Sequence, residues 1–127
     1  MLVDQLNIMP LAIWSGLGGA WLLVGAALPA LLSQKRYRAA LAFAGALVVM
    51  VGGALLVVDV TRSMAYCLPA VFVALTVLSR SEPHKRLERL TAISAAVSLV
   101  VPTFYIEGSA GVWWLYPLPV QLGRWIS

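Results

Sequence analysis

Four stretches of the chain, residues 11–32, 39–58, 63–79 and 90–106, contain no charged side chain and run 22, 20, 17 and 17 residues. A hydrocarbon layer of roughly 30 Å is crossed by a helix of about 20 apolar residues, with about 17 as the shortest that suffices. Each stretch therefore predicts a membrane-crossing helix. Apolar side chains occupy every face of these segments, whereas a barrel strand would alternate, and backbone groups in lipid must be paired within the element. The expected fold class is all-α, a polytopic membrane protein with four transmembrane helices in an antiparallel bundle. Residues 108–127 form an interfacial C-terminal segment, and residues 1–127 make one membrane-embedded domain.

The connections sharpen this picture. Only Asp59 to Arg62 separates the second and third stretches, which predicts a tight helical hairpin with its two arms packed side by side. Pro29, Pro69 and Pro102 each remove a backbone donor and kink or end a helix where they stand. Residues 1–10 carry Asp4 and no basic side chain, unlike the opening of a cleavable signal peptide, so the first stretch is read as a permanent span. Residues 108–123 are uncharged but too short, and too broken by Pro117 and Pro119, to cross; a short helix is expected at residues 112–116.

Composition agrees with a membrane solvent: 61% of the residues are hydrophobic and 11% charged, against about a quarter charged in soluble domains. Charge then supplies a direction. Seven of the nine basic residues fall in the first and third connections, Lys35, Arg36, Arg38, Arg80, Lys85, Arg86 and Arg89; Arg62 and Arg124 fall on the other side. Basic loops face the cytoplasm. The expectation is an integral protein of a bacterial-type inner (plasma) membrane with both termini outside. The net charge of +4 is no nucleic-acid footprint, because a reader of nucleic acid would present its basic residues on a folded soluble face. Lys35, Arg36 and Arg38, with Lys85, Arg86 and Arg89, are candidates for contact with anionic lipid head groups.

Candidate chemistry is sparse. No catalytic, cofactor or metal-binding set is discernible, and no Asp, Glu, Lys, Arg or His lies within any of the four stretches. Proton-coupled transport needs a titratable group in the span. A small multidrug exporter would carry an acid in its first span, where this chain has Trp14 and Ser15 as its polar-capable side chains. A haem-ligating subunit would need a span histidine, and His84 sits in a basic loop. Cys67, the single cysteine, has no partner for an internal disulfide and reads as a small core residue.

Small residues concentrate on two stretches, and Gly16, Gly19, Ala42 and Ala46 mark a candidate helix-packing face, since helices in lipid associate by close backbone approach. That face either closes the bundle or, on the glycine-rich first stretch, docks a partner. Polar groups gather at the outer end: Asp59, Arg62, Tyr66 and Glu107 form a candidate site for a phosphate or sugar head group. Trp113, Trp114, Tyr116 and Trp125 are candidate interfacial anchors.

Three functions of different class remain open. The leading one is a non-catalytic accessory or assembly subunit of a larger membrane complex, contacting another membrane protein or a second copy of itself. The alternatives are a small oligomeric transporter, or a protein that binds or transforms an outer-leaflet or lipid-linked ligand through Asp59, Arg62 and Glu107.

Overall fold

The computed structural model describes the backbone of residues 2–57, 60–107 and 111–126, and side-chain surroundings for residues 9–57, 62–105, 115–117 and 119–126. Helix dominates. Helices α1 (Leu2–Leu17) and α2 (Trp21–Ser33) are joined by a 3-10 turn, Gly18–Ala20. Helix α3 spans Tyr37–Leu55, and α4 (Val60–Met64) leads through a 3-10 turn, Ala65–Cys67, into α5 (Leu68–Ser81). Helix α6 (His84–Val100) follows, then strands β1 (Thr103–Glu107) and β2 (Gly111–Leu115), and helix α7 (Leu118–Ile126). Among the described residues three helical segments are long and apolar enough to cross a membrane: Met9–Ser33, Tyr37–Leu55 and Arg62–Ser81.

The fourth uncharged stretch behaves differently from the expectation. It is not one helix over residues 90–106, because α6 begins in the charged segment at His84 and stops at Val100. Pro102 disfavours helix at the residue before it, and the β-branched and aromatic run Thr103, Phe104, Tyr105, Ile106 suits an extended strand. Strand β1 pairs antiparallel with β2 in the register Thr103↔Leu115 to Glu107↔Gly111. The tail helix is likewise displaced. Residues 112–115, expected as helix, belong to β2, and the helix forms only after Pro117. Val112, Trp113 and Trp114 are strand formers, whereas Pro119 is tolerated in a first helical turn whose N–H groups lack intrahelical partners.

Helix α2 ends in a left-handed cap without glycine. Lys35 adopts φ 58°, its N–H donates to the Leu32 carbonyl at 2.9 Å, and the Arg36 N–H donates to the Leu31 carbonyl at 3.0 Å. These paired bonds satisfy the last carbonyls of the helix and turn the chain back into α3. A lysine there adds a cation at the negative end of the helix dipole.

Packing departs from the expected hairpin of second and third stretches. Helix α3 meets α4 and the turn after it, near the connection, while α5 packs along α2. The reason lies in the side chains: Leu23, Val24, Ala27 and Leu31 of α2 bury against Ala70, Val71, Ala74 and Leu78 of α5. Alanines on both helices permit close approach along the seam.

Two apolar clusters result. The first holds that seam with Ala40 and Phe43 of α3, and Leu87 and Leu90 of α6 pack against it. Both basic connections therefore lie at one end of the molecule. The second cluster, at the opposite end, joins Ala12, Ala54, Met64, Cys67 and Phe104. Leu17 touches both clusters, and the break at Gly18–Ala20 falls between them.

Candidate functional site

The break in the first long helix is the most elaborated polar feature of the interior. Gly18 has φ +50°, a conformation that a side chain strains, and it interrupts the ladder of backbone bonds. In a continuous helix the Gly19 N–H would donate to the Ser15 carbonyl. Here it donates to Oγ of Ser98 at 3.0 Å, and Oγ of Ser94 donates to the Gly19 carbonyl at 2.8 Å. Ser94 and Ser98 stand one turn apart on α6, so one helix edge supplies a donor and an acceptor to the same glycine. Trp21, just beyond the break, reaches back across it, its indole Nε1–H donating to the Ile13 carbonyl at 2.6 Å.

Polar groups left unmade in hydrocarbon cost several kcal/mol each, which is why a broken helix needs such partners. Among the described residues no buried side-chain polar atom lacks a hydrogen-bond partner. A related contact ties the next level of the molecule. Trp14 Nε1–H donates to the Pro102 carbonyl at 3.3 Å, at the point where α6 gives way to β1. Helix α6 and strand β1 thus run back along the first long helix, from Gly19 to Trp14 and on to Ala12.

The residues singled out from sequence fall into separate places. Gly16 and Gly19 face the protein's own chain: a Cβ on Gly16 would meet the Cβ of Met64, and one on Gly19 would meet the Ser94 carbonyl and the Ser98 backbone nitrogen. Ala42 and Ala46 of α3 are exposed. The four do not share a contact. Of the outer polar set, Asp59 lies outside the described residues, Arg62 in α4 is exposed and Tyr66 is 75% exposed. Glu107 ends β1, and the placement of its side chain lies outside what is described. Helix α4 does pack against β1, which makes the elements that carry Arg62 and Glu107 neighbours.

Among the anchors, Trp113 and Trp114 lie on β2, with side chains outside what is described. Tyr116 sits under the Arg124 guanidinium, 5.1 Å from ring centre to Cζ, and Trp125 is 92% exposed on α7. Leu122, Trp125 and Ile126 fall on one side of α7 with Arg124 on the other and Gln121 at the boundary, the pattern of a helix lying in an interface. Among the described residues no three His, Cys, Asp or Glu side chains gather.

Ser94 and Ser98 are the functional pair that composition and charge do not single out; their spacing of four, with the Gly-Leu-Gly-Gly run at residues 16–19, is the signal in the sequence for a helix break stapled from the side. Together, fold and site define a largely helical protein in which, among the described residues, three helical segments are long and apolar enough to cross a membrane and the first carries an internal, hydroxyl-bridged break. No known protein family, curated protein or solved structure matches the chain.

Proposed function

We propose that this protein is a non-catalytic accessory or assembly subunit of a larger membrane complex, and that α3 is the helix by which it docks. The observation that carries this reading is the outward face of α3. Ala42, Ala46, Val49 and Gly53 recur along one line of the helix with Gly45 and Gly52 beside it. A Cβ at Gly45, Gly52 or Gly53 would meet nothing within 4 Å. Apolar side chains alone gain little from leaving lipid, so a stripe of small residues open to close backbone approach is the surface that associates in a bilayer. Gly16, Gly18 and Gly19 of the first long helix already meet the protein's own chain, which moves the docking face from that helix to α3.

The test is extraction of the tagged chain from its native membrane in mild detergent, with native mass measurement of wild type, Ala46→Leu and Gly45→Leu. A stoichiometric larger protein, retained by wild type and lost at least about tenfold in either variant, supports the reading; leucine there prevents the backbones from meeting. A partner retained equally by all three overturns α3 as the dock. A homo-oligomer without a larger protein favours the alternative, an oligomeric transporter or outer-leaflet binding protein. The contact of α4 with β1 would then draw attention to Asp59, Arg62 and Glu107.

In the same reading the basic connections face the cytoplasm of an inner (plasma) membrane. Helix α6 and β1 together make the fourth traverse, leaving both termini outside. In a Cys67→Ala background, an impermeant maleimide added from outside is expected to label Gln121→Cys in α7 and to spare His84→Cys until the membrane is permeabilised. The reverse pattern overturns the orientation, and labelling of both positions from one side overturns the fourth traverse.

A further inference from the structure

Helix α6 carries a shallow groove on each flank of its first turns, and the two differ in charge. One, of about 410 Å³, is lined by Pro83, Lys85, Arg86, Arg89, Leu90 and Ile93. The other, of about 470 Å³, is lined by residues that include His84 and Glu88 and holds no Lys or Arg. Glu88 lies 3.1 Å from His84. On the basic flank, Arg86 is held by Glu82 at 2.9 Å. Lys85 and Arg89 make no ion pair among the described residues, and all three basic side chains are exposed.

The groove also changes character along its length. Lys85 and Arg89 stand at its upper end, in the charged segment; Leu90 and Ile93 lie one turn apart below them, where the uncharged stretch begins. That boundary is where head groups meet acyl chains, and the partial positive charge of the α6 N-terminus adds to the side-chain field.

We propose that this groove binds one anionic phospholipid, with its phosphate between Lys85 and Arg89 and an acyl chain laid over Leu90 and Ile93. A guanidinium and an ammonium complement a phosphate diester, whereas a zwitterionic head group brings its own cation to the same pocket. The apolar floor separates a lipid from free phosphate, which has nothing to place there. This inference is independent of the docking role of α3.

The experiment uses the full chain purified and delipidated in mild detergent. Native mass spectrometry and thermal unfolding are followed as phosphatidylglycerol, phosphatidylcholine or inorganic phosphate is added. Phosphatidylglycerol is expected to remain bound at one copy per chain and to raise the unfolding temperature more than phosphatidylcholine does. In Lys85→Gln/Arg89→Gln the apparent affinity for phosphatidylglycerol should fall roughly thirtyfold, towards that for phosphatidylcholine. The charge-preserving Lys85→Arg/Arg89→Lys variant, and Lys35→Gln/Arg38→Gln in the other basic connection, should keep the preference. Equal retention of the two lipids by wild type overturns the proposal. So does a preference that survives Lys85→Gln/Arg89→Gln, or an equal stabilisation by inorganic phosphate.

Discussion

Gly19→Ala is expected to destabilise the protein by about 3–5 kcal/mol, the sum of forced separation of two helices and loss of two hydrogen bonds between them. The added methyl would meet the Ser94 carbonyl, the Ser98 Oγ at 2.7 Å and the Ser98 nitrogen at 2.9 Å. Two of these three are backbone atoms of α6, so no rotamer change relieves the clash. Helix α6 must retreat, and with it goes the pairing of the Gly19 N–H and carbonyl. Gly25→Ala supplies the comparison, because a Cβ at Gly25 meets nothing within 4 Å. Alanine in an open helix interior stabilises by about 0.5–1 kcal/mol relative to glycine. Thermal and denaturant unfolding of the two variants in the same detergent should therefore move in opposite directions. Equal, small shifts would mean that α6 does not lie against the break.

Ala74→Leu is the second substitution with a large expected effect, a loss of about 2–3 kcal/mol from overpacking a closed contact. Ala74 has no exposed surface and sits in the seam with Leu23, Val24 and Ala27 of α2. Three more carbon atoms there push α5 away from α2, and in lipid that contact is maintained by close packing rather than by exclusion of water. Val73→Leu, next in sequence but 48% exposed, should stay within about 0.5 kcal/mol of wild type. Unfolding of this pair in detergent tests the seam directly. A larger loss for Val73→Leu than for Ala74→Leu would show that α5 presents a different face to the bundle.

These two sites differ in how visible they were. Uncharged length located the helices: residues 11–32, 39–58 and 63–79 coincide closely with the three helical segments long enough to cross. In the fourth stretch length misled, because a run without charge is necessary for a crossing helix and says nothing of where Pro102 and the β-branched residues around it divide the chain. Gly16 and Gly19 stand out as small residues, but so do Ala42 and Ala46, and the sequence holds no mark separating the first pair from the second. In a soluble protein the polar face would have done so. In a membrane protein the outward and inward faces of a helix are both apolar, and periodicity loses its power to orient.

The outer polar set shows the same limit from another side. Asp59, Arg62 and Tyr66 form a group by their spacing in the sequence alone, whereas the relation of that group to Glu107 depends on β1 lying beside α4, a non-local contact. Ser94 and Ser98 are the sharper case. Their role as partners of Gly19 joins positions some 75 and 79 residues apart, and neither the serines nor the glycine departs from ordinary span composition.

By itself the sequence located the three helical segments long and apolar enough to cross a membrane and the clustering of basic charge, because charge and hydropathy set the cost of placing each segment in lipid residue by residue. Tertiary structure alone decided which helix α5 packs on, where the first long helix breaks, and which small-residue face is left open. Those outcomes rest on backbone approach and hydrogen bonds between distant segments, and such interactions depend on geometry that no local pattern of residue types records.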